Sequence, residues 1–290
     1  MPAHLPPTIA KEIEASLGLR VQNFSGIIGG CINQGGRLKT SDGDFFLKWN
    51  DAKKFPGMFA AEARGLKILQ QPRAIRIPDV IYVTEATPYQ FILLEWIEQR
   101  SRLNTYWTTL GSQLATLHRH SCATFGLDHD NYIGSLLQCN QPATNWIDFF
   151  IRHRLQAQLQ LGERKGLASV SLQNNFEKLF AKLHSILPEE KPSLIHGDLW
   201  SGNLITDHDG KPCLIDPAVY FGCRETEIAM TQLFGGFGSE FLESYYETFP
   251  LLPQFEERLE LYKLYPLLVH VNLFGLGYLP QVVSILKRFV

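Results

Sequence analysis

The sequence has few cysteines and no closely spaced cysteine pair. Five cysteines are spread over 290 residues, and neither a CxxC pair nor a zinc-binding spacing with the nine histidines occurs. A zinc site and a disulfide framework are therefore not expected, and a reducing, cytoplasmic environment fits this usage best. The five are Cys31, Cys122, Cys139, Cys213 and Cys223.

Long runs of one charge are also missing. The 27 basic and 29 acidic residues give a formal net charge of -2, and no basic stripe stands out. Nucleic acids and acidic membrane surfaces are therefore not expected as partners.

Uninterrupted apolar stretches are missing at both ends of the chain. Residues 1–18 lack the apolar segment of a signal peptide, so none is expected. Residues 261–279 are strongly apolar but are broken by polar residues and a proline, which favours a buried helix over a membrane span. These interruptions are Lys263, Pro266, His270 and Asn272.

The N-terminal third has the alternation and turns of a β-sheet. Residues 8–18 predict a short helix that Thr8 caps and Gly18 closes. Residues 21–50 predict three antiparallel strands with a hairpin turn at "SDGD", and residues 79–97 predict two more. Between them, residues 59–70 predict a helix that Pro72 ends. The first 97 residues therefore predict a five-stranded antiparallel sheet with one inserted helix.

From about Asn104 onward the pattern becomes helical. Two short strands, Leu204–Thr206 and Cys213–Ile215, interrupt the helices around the turn "DHDG", and helices return from Glu225. The fold class predicted is α+β, with a small β-rich lobe over residues 1–97 and a larger helical lobe over residues 98–290. The cleft between such lobes is the natural place for a ligand.

Three polar residues have the spacing of a phosphoryl-transfer site. Asp198 is followed by Asn203 five positions later and by Asp216 on the next short strand. Phosphoryl transfer needs a base for the acceptor hydroxyl and side chains that hold metal against the phosphates. We therefore predict Asp198 as the base and Asn203 and Asp216 as metal ligands. The alternative is that "GDLWSGN" is only a turn.

A lysine and a glutamate upstream fit the same chemistry. Lys48 lies on a predicted strand, and Glu62 lies on the apolar face of the predicted helix, in line with Phe59 and Leu66. A carboxylate on an inward face is costly unless it is paired. We expect Lys48 to pair with Glu62 and to reach the nucleotide phosphates; a solvated lysine and a peripheral glutamate are the alternative.

Two backbone segments are the remaining candidates for nucleotide contacts. In "SGIIGGCINQGG", Gly29 and Gly30 would let backbone amides cover the phosphates, although the stretch matches no standard phosphate-binding motif. At the end of the fifth strand, the backbone of Glu95, Trp96 and Ile97 could bond the adenine edge.

Trp200 and Cys31 are candidates for substrate binding and regulation. Trp200 follows Asp198 by two positions, where an indole could form a flat apolar wall for a sugar ring; packing between the lobes is the alternative. Cys31 lies at the predicted tip of the glycine-rich hairpin, where exposure and nearby positive charge would favour the thiolate. Its oxidation would block the phosphate site, so we expect either a monomer or a redox-linked dimer.

The chain resembles the fructosamine/ketosamine kinases, and more widely the aminoglycoside phosphotransferases and choline kinases. The most specific motifs are "HGDLWSGN" and "DPAVYFG", and the resemblance extends from "GGCIN" to "LYPLLVHVNLFG". It implies a protein-kinase-like two-lobe fold and phosphorylation, by ATP with Mg²⁺, of the 3-hydroxyl of ketoamines. The product then releases the amine, so the activity is deglycation repair. The resemblance also implies a preference for ribulosamines and redox sensitivity at a cysteine like Cys31.

The sequence departs from this family in one segment. Where the family usually reads "GDREAD", this chain has "GCRETE", with Cys223 at the first acid and Glu227 at the last. Neither residue is expected to touch the base or the metal ligands, but the loss of the first acid bears on the shape of the acceptor pocket.

Other functions remain open from the sequence. A phosphotransferase of the same fold could act on an aminoglycoside, a choline-like alcohol or another sugar, although the helical part has no acidic cluster. A regulated protein kinase is disfavoured, because only about nine residues separate Asp216 from Glu225 and no APE motif occurs. A nucleotide-binding pseudokinase scaffold is the third alternative.

Overall fold

The N-terminal part is a five-stranded antiparallel sheet, as predicted. The computed structural model describes residues 4–27 and 33–290. In the sheet the strands lie in the order β1-β2-β3-β5-β4, and every neighbouring pair is antiparallel. The strands are β1 (Val21–Gly26), β2 (Gln34–Thr40), β3 (Gly43–Asp51), β4 (Val80–Thr84) and β5 (Tyr89–Glu95).

Two helices cover opposite faces of this sheet. Helix α1 (Pro7–Leu17) packs Ile9 and Ile13 against Leu47 and neighbouring apolar side chains of the sheet. Helix α2 (Met58–Gln70) turns its buried side toward the other face, where it joins the main core. Burial of one such large apolar side chain contributes about 1.5–3 kcal/mol to folding. The alternation of β3 thus directs Leu47 toward α1 and Lys48 toward α2.

The ends of the two helices test the predicted caps. Helix α1 begins at Pro7, with Pro6 as the N-cap residue and no side-chain cap, so the prediction that Thr8 caps it is wrong. The fixed φ of proline suits the first helical position, which places Thr8 inside the first turn. Gly18 closes the helix as predicted, at φ 70° and with its N–H donating to the carbonyl of Glu14. Helix α2 ends at Gln70, just before Pro72.

The remainder of the chain is mainly helical. A π-helical turn, Phe150–Gln156, joins two of its helices, and 3₁₀ turns span Ser201–Asn203 and Leu276–Tyr278. The helices are α3 (Tyr106–His118), α4 (Trp146–Phe149), α5 (Ala157–Arg164), α6 (Val170–Ile186), α7 (Arg224–Leu233), α8 (Ser239–Thr248), α9 (Phe255–Tyr262), α10 (Leu264–Phe274) and α11 (Leu279–Phe289).

Three-residue strands occur among these helices. They pair as β6 with β7, β8 with β11 and β9 with β10. Strand β9 has the predicted bounds, but β10 begins one residue earlier than predicted, because Pro212 pairs with Thr206. The six are β6 (Asn131–Ile133), β7 (Leu136–Gln138), β8 (Ser193–Ile195), β9 (Leu204–Thr206), β10 (Pro212–Leu214) and β11 (Tyr220–Gly222).

The apolar stretch 261–279 is divided between α9, α10 and a 3₁₀ turn. Its central helix, α10, is largely buried in the main core, as the polar interruptions indicated. In the described part of the chain, no helix is both long and apolar enough to cross a membrane. The division into lobes after residue 97 stays a prediction.

Candidate active site

Lys48 joins the sheet, helix α2 and the turn after β10. Its Nζ lies 2.7 Å from Oε1 of Glu62 and 2.9 Å from Oδ1 of Asp216. Burial alone would lower the pKa of Lys48, but the charges of Asp216 and Glu62 outweigh burial and raise it above its ordinary value. Lys48 therefore stays charged, and the predicted pairing with Glu62 is present. The Asp216 side chain remains 45% exposed, so this carboxylate is accessible to a ligand.

The loop between β8 and β9 brings Asp198 and Asn203 together. The chain leaves β8 at Ile195, and the 3₁₀ turn at Ser201–Asn203 folds Asn203 back over the loop. Nδ2 of Asn203 donates to the backbone carbonyl of Asp198 at 2.8 Å and to its Oδ2 at 3.1 Å. Asp198 and Asn203, five residues apart in the sequence, thus lie at the two ends of one loop and are joined by hydrogen bonds.

Asp198 is a half-buried carboxylate with a raised pKa. Burial raises its pKa to about 7, and the charges of Asp216 and Glu227 act in the same direction, against the hydrogen bond from Asn203. A carboxylate with a pKa near the working pH is suited to accept a proton from a hydroxyl group.

His196 ties this loop to the turn that carries Asp216. Its Nε2 donates to the carbonyl of Ile215 at 2.9 Å, and its Nδ1 accepts from the backbone N–H of Asp198 at 3.3 Å. Burial lowers the pKa of His196, so the ring is neutral with its proton on Nε2. Asp216 itself has a left-handed φ of 56°, a strained value for a residue other than glycine.

A cavity of about 30 Å³ lies beside Asp198. Its walls are mainly apolar and include the rings of Tyr220, Tyr262, Tyr265 and His270. Trp200 stands outside this cavity and is 40% exposed, with its ring directly over Gly202, where a Cβ would lie 2.2 Å from the indole. The exposure of Trp200 leaves one face of the ring open to a ligand.

The segment after β5 offers fewer groups for an adenine than the sequence suggested. The backbone N–H of Glu95 donates to the carbonyl of Asp79 at 2.8 Å, and the Glu95 side chain pairs with Arg76 at 2.6 Å. Trp96 is also engaged through its side chain, which donates to Glu98. The N–H of Glu95 is therefore engaged, and contact of the Glu95, Trp96 and Ile97 backbone with adenine stays a prediction. Gly29, Gly30 and Cys31 lie outside the described residues.

Comparisons with known proteins agree on one family. Residues 6–290 match the fructosamine kinase family. A protein of Enterococcus faecium named a probable ketoamine kinase is 40% identical over 91% of this chain and 94% of its own length. The chloroplastic protein-ribulosamine 3-kinase of Oryza sativa subsp. indica is 38% identical over 93% of this chain and 80% of its own length. The chain belongs to the fructosamine kinase family.

Solved structures support the same assignment and the predicted fold class. A Thermobifida fusca protein assigned as a fructosamine-3-kinase superposes with a TM-score of 0.87 at 30% identity, over 97% of both chains. The aminoglycoside phosphotransferase APH(4)-Ia superposes with a TM-score of 0.66 at 16% identity, over 98% of this chain and 99% of its own, and therefore shares the fold alone. As a fructosamine kinase family member, the protein is an ATP-dependent phosphotransferase with a protein-kinase-like two-lobe fold.

The sequence analysis missed how Glu227 supports the loop. From α7 its carboxylate accepts the backbone N–H groups of His196 at 3.0 Å and Gly197 at 2.7 Å. His118 Nε2 lies 2.8 Å from the same carboxylate, and His118 Nδ1 lies 2.8 Å from the hydroxyl of Tyr245. Glu227 does not touch the Asp198 side chain, but it fixes the two residues before it. The segment "GCRETE" could have indicated this role, because its last residue, Glu227, keeps the acid that the family has there.

Cys223, the other departure, does not line the cavity but contacts Tyr262, which does. It is buried, and its Sγ lies 3.9 Å from Oε2 of Glu190, which also pairs with Arg224 at 2.8 Å. Burial raises the pKa of Cys223, so the side chain is a neutral thiol. An acid at this position would stand against Glu190, and the neutral thiol removes that repulsion.

We predict that Glu227→Gln lowers both stability and turnover. The amide would turn an N–H₂ group toward backbone N–H donors, which costs about 1–3 kcal/mol of unfolding free energy. A shifted Asp198 should reduce kcat by about 10–100-fold, while the KM for ATP stays close to the wild-type value.

Glu225→Gln is the matched control, since Glu225 lies on the same helix and pairs with Arg258 at 2.6 Å instead of with the loop. It should lower the melting temperature without a comparable loss of kcat. If both variants lose kcat equally, Glu227 has no specific effect on the loop.

Proposed function

We propose that this protein is an ATP-dependent kinase that phosphorylates the 3-hydroxyl of ketoamines, with Asp198 as the base. The observation that carries the proposal is Asp198, with its raised pKa, beside a mainly apolar cavity and on a loop that Asn203 and Glu227 hold in place. The family supports ketoamines as the acceptor class, because its relatives are named ketoamine and ribulosamine kinases.

The reaction follows from the positions of these groups. Asp198 accepts the proton of the acceptor hydroxyl while the oxygen of that hydroxyl forms a bond to the γ-phosphorus of ATP. The bond from that phosphorus to the bridging oxygen breaks, and ADP leaves with the electron pair. Lys48, held by Glu62, would neutralise charge on the phosphates, and the backbone of Glu95, Trp96 and Ile97 would bond the adenine edge. We keep Gly29 and Gly30 as the proposed phosphate cover.

Asn203 and Asp216 are the proposed ligands of Mg²⁺. The Asn203 amide makes its hydrogen bonds through Nδ2, so its Oδ1 can serve as a ligand, and Asp216 offers a half-exposed carboxylate. Mg²⁺ prefers such oxygens and completes its shell with water and phosphate, so two protein ligands suffice. When bound, the ion would neutralise charge on the transferred phosphoryl group.

Ribulosamines are the preferred acceptors in this proposal, as in the rice relative's name, with the exposed face of Trp200 against the sugar. Release of the amine from the phosphorylated product would make the activity a deglycation repair, acting in the cytoplasm on free or protein-bound adducts. We keep the monomer, or a dimer linked by oxidation of Cys31, as the proposed states.

Asp198→Asn is expected to abolish turnover while ATP still binds. Loss of a general base reduces kcat by about 10²–10⁴-fold. ADP formation should be measured with the ribulose adduct of an amine as acceptor, alongside ATP binding by calorimetry. If the wild-type protein phosphorylates no ketoamine, the proposed function is wrong. If the Asn variant remains active, only the assignment of Asp198 as the base is wrong.

Asp216→Asn is expected to weaken binding of the Mg²⁺–ATP complex, because it removes a charged ligand of the metal. The Mg²⁺ concentration for half-maximal activity should rise about tenfold or more. Asp209→Asn, in the exposed turn between β9 and β10, is the control and should leave this concentration unchanged. An unchanged value in both variants would exclude Asp216 as a ligand.

Trp200→Ala should raise the KM for the ketoamine about fivefold or more, because the sugar loses an aromatic wall. The KM for ATP should change little. Leu137→Ala removes another exposed apolar side chain and serves as the control. Equal increases in both KM values would instead indicate that Trp200 packs the two lobes together.

A further inference from the structure

An exposed aromatic cluster, formed by Phe234, His270, Phe274 and Tyr278, lies beside the cavity. The ring centroid of His270 is 4.7 Å from that of Phe234, 5.4 Å from that of Phe274 and 4.9 Å from that of Tyr278. Phe234 is 40% exposed and Phe274 is 53% exposed. Large apolar rings gathered on a surface commonly mark a place where another molecule binds.

His270 connects this cluster to Asp198. It lines the same cavity as Asp198, whereas Ile195, Tyr220 and Tyr265 close other sides of that cavity and are buried. A cavity of about 30 Å³ has room for little more than one or two water-sized groups. The cavity can hold the reacting end of an acceptor, and the remainder of the acceptor has to extend outside. On the His270 side this remainder would meet the exposed rings.

The segment that carries Phe234 also touches the catalytic loop. A Cβ on Gly236 would lie 2.6 Å from Oγ of Ser201, the residue after Trp200. The aromatic cluster and the loop that presents Asp198 are therefore neighbours through two separate contacts, one at His270 and one at Gly236.

The two segments that carry most of these rings are uncharged and apolar. Residues 233–238 and 273–283, which carry three of the four rings, contain no Asp, Glu, Lys or Arg. Charged groups on a ligand would find no ion-pair partner in these segments, whereas an aromatic or aliphatic group gains stacking and loses contact with water.

We propose that the aromatic cluster is a subsite for the substituent on the ketoamine nitrogen, and that it selects adducts of amines bearing an apolar or aromatic group. The inference rests on the proposed function. In a ketoamine the nitrogen is bonded to C1, two carbons from C3. With the 3-hydroxyl at Asp198, the nitrogen substituent leaves the cavity close to the reacting carbon and extends over His270 toward Phe234 and Phe274.

The test compares two ribulose adducts that differ only in the amine, one made from benzylamine and one from methylamine. For the wild type, kcat/KM should be about five- to tenfold higher for the benzylamine adduct. Phe274→Ala, and independently Phe234→Ala, should bring this ratio to within about twofold of one. Both residues are substantially exposed, and melting curves check that the variants fold. Val170→Ala, which removes a 72% exposed side chain at the start of α6, should keep the wild-type ratio.

The outcomes separate this inference from the function on which it rests. Turnover of both adducts at equal kcat/KM by the wild type would overturn the subsite and leave the kinase activity standing. A ratio that persists in both phenylalanine variants would also overturn it, since the selectivity would then arise elsewhere. Turnover of neither adduct would overturn the proposed function together with the inference.

Discussion

The buried ammonium of Lys48 is the interaction on which the site depends. It lies between two carboxylates, one from the neighbouring helix and one from a turn 168 residues further along the chain. A buried charge of this kind is tolerated only when its partners stay in place, and removal of one partner typically costs about 3–5 kcal/mol. The sheet, α2 and the turn with Asp216 are thereby held in one arrangement before any nucleotide binds.

The surroundings shift the pKa of Asp198 for a different reason. Lys48 keeps its charge because two acids surround it, whereas Asp198 has acids among its charged neighbours and lies beside a mainly apolar cavity. One site thus contains a lysine that stays protonated and an aspartate that can exchange a proton near neutral pH. This separation of acid–base roles by environment is characteristic of enzyme sites.

Much of this arrangement could be predicted from the sequence, because side-chain periodicity reports on it. Strand alternation placed Lys48, and the three- and four-residue spacing of α2 placed Glu62. The short interval from Asp198 to Asn203 fitted a single loop. These patterns are local, and they predict side-chain positions reliably when the strand or helix is long enough to show its periodicity.

Other features had no such pattern. Glu227 contacts backbone N–H groups, and a backbone partner leaves no trace in residue spacing. Strands β8 and β11 have three residues each, too few to show alternation, and no short turn such as the one between β9 and β10 joins them. The aromatic cluster draws Phe234 and Phe274 from positions that are remote in the chain. Thr8 resembled a cap because the sequence does not reveal that Pro7 already begins the helix.

Gly197, which donates to Glu227, has a consequence for how this protein can evolve. Its φ is 84°, and a Cβ there would lie 2.1 Å from the backbone oxygen of Ala218. Any other residue would be both strained and obstructed by main chain, which cannot move aside as a flexible side chain can. Cys223, four positions before Glu227, stands where the family usually has an acid, so a buried charge can be replaced there. At Gly197 no comparable replacement is possible. Evolution can therefore change the charge of side chains near this site, but it cannot add a side chain at Gly197.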